Sequence, residues 1–152
     1  MIARQTTLLL AIGWAIFATG CANSGLNKPS LEDSSPIVRL ECSPCFGPCP
    51  TYTVEVYSDG RAQYHGERYT DLDGQWSGRV VLTDLNHVLT VAREMGFGGL
   101  EEVYDDPRIM DLPSQTFSIE GYTVKSRYGG PDFKPLKEAI EKMVAAGDWH
   151  RE

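Results

Sequence analysis

Alternation of apolar and polar side chains is clearest from Thr51 to Ser58. Tyr52, Val54 and Val56 share one face there, and Thr53 and Glu55 the other. A period of two predicts a half-buried strand. Ser58-Asp59-Gly60 reads as a turn and Arg61–Glu67 as the returning strand. Parity selects the turn. A two-residue Asp-Gly loop would set Val54 and Val56 beside His65 and Gln63. A three-residue loop with Gly60 in the left-handed region sets Val56 beside Ala62 and Val54 beside Tyr64. Only the second keeps one face apolar, so a type I turn with a glycine bulge is expected. Ile37–Cys42 reads as a preceding strand. Trp76–Leu82 reads as a following one, after the polar turn at Asp71-Leu72-Asp73-Gly74.

The period then changes to that of a helix. Leu85, Val88, Leu89, Ala92 and Met95 form one stripe over Asp84–Met95, with Thr83 as the expected cap and Gly96 as the stop. Gln115–Ile119 and Tyr122–Tyr128 read as a second hairpin. A two-residue turn at Glu120-Gly121 sets Ile119 beside Tyr122 and Phe117 beside Val124. Asp132 is expected to cap a last helix to about Ala146, with Phe133, Leu136, Ile140, Met143 and Val144 inward. Strands joined by tight hairpins, with two helices among them, predict an α+β fold. The expected form is a largely antiparallel sheet of about five strands with two helices packed on one face.

The N-terminus has a different pattern. Arg4 precedes an apolar run from Leu8 to Ala18, which ends in Thr19-Gly20-Cys21. A basic start, a short apolar run and small residues before a cleavage point predict a secretory signal over residues 1–20. The run is too short for an ordinary spanning helix, which takes about 20 residues. The segment resembles the bacterial lipobox, with Ala18 where leucine is usual. That resemblance implies lipidation of Cys21 as the first mature residue and a membrane anchored through its acyl chains. Ala22, rather than aspartate, after Cys21 implies the outer membrane, with the domain facing the periplasm. Residues 21–36 then comprise the lipidated cysteine and a polar tether rich in Ser, Asn, Pro and Gly. Residues 37–147 form the single domain, and residues 148–152 a C-terminal tail.

Composition narrows the partners. The chain has 152 residues, 41% of them hydrophobic, enough for one domain with a core of its own. A net charge of −7 argues against nucleic acid and against adhesion to anionic lipid headgroups.

The densest chemistry lies in Cys42-Ser43-Pro44-Cys45-Phe46-Gly47-Pro48-Cys49-Pro50. An oxidising compartment favours a structural disulfide, and Gly47-Pro48 lets the chain reverse between Cys45 and Cys49. Cys42 is then buried on the first strand, paired instead with Cys45, or a free thiol. Two other readings use the same three cysteines. Cys42-x-x-Cys45 is half of a zinc knuckle, but no second pair follows, and His65, His87 and His150 are scattered. A redox Cys-x-x-Cys normally opens a helix, whereas Pro50 and the β-branched run after it indicate a strand. No metal site and no cofactor are therefore expected. Glu101, Glu102, Asp105, Asp106 and Asp111 lack calcium-loop spacing and read as a solvated loop. Gly96-Phe97-Gly98-Gly99 follows a helix, not a strand, which speaks against a phosphate loop. No hydrolase elbow or catalytic triad is visible, so no catalytic residue is assigned.

Cys45 to Gly60, CFGPCPTYTVEVYSDG, resembles the opening of a bacterial domain of unknown function, the family numbered 6438, with its Cys-Phe-Gly-x-Cys-Pro motif. Asp111-Leu112-Pro113-Ser114 and Tyr128-Gly129-Gly130-Pro131 are similar to two later elements of that family. The resemblance implies that Cys45 and Cys49 are the shared pair and Cys42 an addition of this chain. It implies no activity. The function expected is that of a non-enzymatic cell-envelope lipoprotein. It would bind an envelope protein or cell-wall component through the open sheet face or an edge strand. The alternative is a thiol-redox or metal-handling protein using Cys42, Cys45 and Cys49.

Overall fold

A computed structural model describes residues 35–109 and 111–152. The expected signal peptide, the lipidation site Cys21 and nearly all of the tether lie outside the described residues. Within them, eight strands and two α-helices follow one another in a single chain order. The strands are β1 (Val38–Cys42), β2 (Thr51–Val56), β3 (Arg61–Arg68) and β4 (Gly74–Arg79), then β5 (Val103–Tyr104), β6 (Gln115–Ile119), β7 (Tyr122–Ser126) and β8 (Asp148–Arg151). Helix α1 (Leu82–Glu94) separates β4 from β5, and α2 (Lys134–Ala145) separates β7 from β8.

All eight strands form one sheet in the order β5-β7-β6-β1-β2-β3-β4-β8. The N-terminal strand is thus central. It pairs antiparallel with β2 on one side and with β6 on the other, joining the two hairpins into one sheet. Alternation places Val38, Leu40, Val54, Val56, Ala62, Phe117, Ile119 and Val124 on the same face. Leu85, Val88, Leu89 and Ala92 of α1 and Leu136, Ile140 and Met143 of α2 close over that face in one core. The opposite face carries half-exposed polar residues, among them Arg39 paired with Glu41 and Glu55.

Both hairpins have the predicted register. Val56 faces Ala62 and Val54 faces Tyr64, with Gly60 at φ +81°. The turn is further held by the Arg61 amide, which donates to Asp59 Oδ1 at 3.0 Å. Ile119 faces Tyr122 and Phe117 faces Val124 across a turn in which Glu120 and Gly121 both have positive φ. Two consecutive left-handed residues are what a two-residue type I′ turn requires.

The sheet is larger than the expected five strands, and it is mixed rather than antiparallel. β5 pairs parallel with β7 over only two residues, held by main-chain bonds such as Lys125 N–H to the Glu102 carbonyl. So short a pairing leaves no periodicity to read. Residues 148–152 do not form a free tail: Asp148–Arg151 pairs antiparallel with β4 as an edge strand. Gly78 makes this possible, because a Cβ there would run into the Asp148 carbonyl and the Trp149 ring. The expected strand Trp76–Leu82 ends at Arg79. Thr83 is not the cap of α1, which begins two residues earlier than expected, at Leu82, with Val81 at the N-cap and no side-chain bond. The Val81 carbonyl instead accepts from both the Asp84 and Leu85 amides. Phe133 rather than Asp132 occupies the N-cap of α2, but Asp132, one position earlier, accepts the Lys134 amide at 2.9 Å.

Candidate functional site

A cleft opens at the edge of this core, where Tyr52 and Tyr64 are themselves buried. Beside the C-terminal end of α2, β2 and β3 present Tyr52 and Tyr64, and these rings stack with centroids 5.4 Å apart and planes 15° from parallel. Trp149 of β8 meets Tyr64 edge-on at 5.9 Å. Its indole N–H donates to the Val144 carbonyl at 2.8 Å, which fixes the ring against the end of α2. The β3–β4 connection supplies the opposite wall through Tyr69, Thr70, Asp71 and Leu72. Thr70 Oγ1 donates to the Leu72 carbonyl at 3.0 Å and tightens that turn. The turn presses so closely on β3 that only glycine fits at Gly66, where a Cβ would collide with the Leu72 carbonyl oxygen. Together with Pro50, Glu141, Val144 and Ala145, these residues enclose a cleft of about 530 Å³.

Tyr69 stands apart. It is 59% exposed, and its φ of +55° is unusual for a bulky residue. The Arg68 guanidinium lies 5.5 Å over its ring. An aromatic held out by a left-handed backbone is a feature to explain, because such strain persists where the surroundings impose it.

The electrostatics are those of protonated hydroxyls beside carboxylates. Tyr52 Oη donates to Glu141 Oε1 at 2.9 Å, and the same carboxylate is paired with Lys137 one helical turn away. Burial, reinforced by Cys42 and Glu141, pushes the Tyr52 phenol well above its ordinary range. Burial also pushes Tyr64 up to about 12. Both are therefore neutral hydroxyls at neutral pH. Asp71 makes no ion pair among the described residues.

The cysteine segment borders this cleft through Pro50. Cys45 and Cys49 form a disulfide with Cα atoms 5.7 Å apart. Cys42 is a free thiol, buried against Tyr52, and burial raises its pKa. The closed loop leaves Phe46 at its tip, 92% exposed. Its stem is tied to the second family-like element: the Ser43 amide donates to the Ser114 carbonyl at 2.9 Å, and the Ser114 amide to Ser43 Oγ at 2.7 Å. The acidic loop does not gather. Asp105 lies near Arg127 and Asp106 binds Arg108. His65, His87 and His150 are separate and exposed. Among the described residues no group of three or more His, Cys, Asp or Glu side chains is placed to hold a metal ion.

Sequence reasoning thus located the border of the cleft and missed its lining. Tyr52 and Tyr64 were legible as inward residues, but not as the part of the core that borders a cleft. Trp149 fell within a presumed tail. The available signal was the alternation Asp148-Trp149-His150, with a large aromatic between two polar residues.

The family model described as Domain of unknown function (DUF6438) matches residues 36–144. The match includes every lining residue of the cleft except Ala145 and Trp149. No curated protein and no solved structure matches the chain.

Proposed function

The chain belongs to DUF6438, a family described as a domain of unknown function, and from that premise we propose that it is a lipid-anchored, non-enzymatic binding module of the bacterial cell envelope. The observation that carries the binding role is the cleft of Tyr52, Tyr64, Tyr69 and Trp149. Its volume and its mainly apolar lining, four aromatic residues among it with a few polar groups, are those of a ligand site. Its floor is fixed by the bonds of Tyr52 to Glu141 and of Trp149 to Val144, so a ligand would meet a preformed surface. The anchor is supported by the sequence alone: Arg4, the run Leu8–Ala18 and the small residues before Cys21. Ala22 favours the outer membrane with the domain in the periplasm.

Thiol exchange is the second reading, favoured by one observation. The Cys45–Cys49 disulfide is half-exposed on a loop, where a partner thiolate has access to it.

Intact mass of the chain expressed with its own leader, with and without reductant and alkylation, tests the address. An acylated Cys21, one disulfide and one free thiol are expected. A mature chain without acyl mass overturns the anchor. An insulin-reduction assay separates the two roles: turnover would overturn the non-enzymatic reading, and its absence removes the redox one.

A further inference from the structure

We propose that the aromatic cleft receives a protonated primary amine carried on a short apolar stem, an inference that rests on the binding reading above. The cleft is poor in donors. The Tyr52 hydroxyl is engaged with Glu141, the Trp149 indole N–H with the Val144 carbonyl, and the Thr70 hydroxyl with the Leu72 carbonyl. The Tyr64 hydroxyl meets Thr70. What remains is the hydroxyl of the exposed Tyr69 at the rim, aromatic surface, and the carboxylates of Asp71 and Glu141. A neutral polyol would need more donors from its site than the Tyr69 hydroxyl supplies. An alkylammonium brings three donors and no acceptor, which complements this lining.

Charge points the same way. The cleft's two ionisable carboxylates belong to Asp71 and Glu141, and the chain as a whole carries −7. Lys137 partly neutralises Glu141, whereas Asp71 has no cationic partner among the described residues. Tyrosine and tryptophan faces attract cations through the ring quadrupole. One cleft ring already does so, with the Arg68 guanidinium 5.5 Å over Tyr69. Leu72 and Val144 supply apolar surface for the carbon stem. An ammonium centre with N–H groups suits the free acceptors better than a quaternary one. The same chemistry is offered by free alkylamines and by lysine-type side chains of a peptide.

The test is a titration of the full-length chain in detergent micelles, following the indole resonance of Trp149. The probes are n-butylammonium, 1-butanol, the N-acetylglucosamine trimer and the peptide Ala-Lys-Ala. A saturable shift is expected with butylammonium and none with butanol. Asp71→Asn should weaken the binding about tenfold, with an unchanged thermal midpoint as the control for folding. Tighter binding of the peptide than of butylammonium assigns the amine to a peptide chain, and equal or weaker binding to a free amine. Equal shifts from butanol, or full affinity in Asp71→Asn, overturn the proposal. If only the saccharide saturates the cleft, the ligand class falls and the binding module stands. If no probe moves Trp149, the amine proposal falls, while the anchor is still decided by the mass of the mature chain.

Discussion

Tyr52 on β2 donates its hydroxyl to Glu141 on α2 across 2.9 Å, a bond between residues 89 positions apart in the chain. It ties the cleft edge of the sheet to the helix that borders it. Lys137 holds the same carboxylate from the helix side. The wall of the cleft is thus fixed by a three-residue chain of polar contacts over an apolar floor.

Removing one link should have a modest cost, because Glu141 keeps Lys137. Tyr52→Phe is expected to lower stability by about 1 kcal/mol, the usual net value of such a bond. Urea denaturation measures it. A loss several times larger would mean that the hydroxyl also organises the Cys42 thiol beneath it.

The loop Tyr69–Leu72 should be sensitive to a single methyl group on its neighbour. Gly66→Ala would drive a Cβ into the Leu72 carbonyl and the Thr70 hydroxyl. A destabilisation of about 2 kcal/mol is expected, in the range of overpacking substitutions. Gly99→Ala is the control, since nothing lies within 4 Å of the added Cβ and its φ is not positive. It should fall within about 0.5 kcal/mol of the parent. Denaturation of both variants decides whether close packing, rather than glycine flexibility, holds the loop.

Stability should fall on the alkaline side. Tyr64 keeps its proton up to about 12 when folded, and burial moves Tyr52 in the same direction. In the unfolded chain a phenol loses its proton near pH 10. Above that value the unfolded state binds fewer protons than the folded one, so unfolding becomes easier as pH rises. The contribution is full below about pH 10 and is lost progressively as pH rises through the folded value, about 12 for Tyr64. Thermal midpoints and phenolate absorbance recorded together would show tyrosine ionisation accompanying unfolding. A midpoint that stays flat to about pH 12 would contradict the burial of these hydroxyls.

The disulfide closes a loop only four positions long in sequence. Loop-closure entropy gives about 2 kcal/mol for so short a ring. Paired substitution of Cys45 and Cys49 by alanine should cost about that much in chemical denaturation. Cys42, buried in the core, should stay unalkylated in the native chain and react once denaturant opens it. Rapid native alkylation would place Cys42 nearer the surface than the core packing allows.

The elements that the sequence specified well were those fixed by short-range rules. Turn geometry and a period of two were enough to pair Val56 with Ala62 and Ile119 with Tyr122. Elements held by distant partners were not legible. β5 rests on two residues of parallel pairing, and β8 needs Gly78 on β4 to make room for Trp149. The cleft was hidden for the same reason. Tyr52, Tyr64 and Tyr69 belong to one hairpin and the turn after it, but Trp149 and the end of α2 come from far along the chain, and only the sheet order brings them to it. The disulfide had a local signature and was read correctly.

The position of β1 has a mechanical consequence. The strand lies mid-sheet, and all five of its residues are paired on both sides. The chain enters at its Val38 end, whereas Tyr52 lies level with Cys42 at the other end. A pull between the entering chain and a ligand held beside Tyr52 therefore runs along the axis of β1. Both ladders are loaded in shear, all rungs at once, rather than peeled open one bond at a time. A domain tethered at that end and gripped at this one would resist tension as a unit, and would give way only when its central strand slides free.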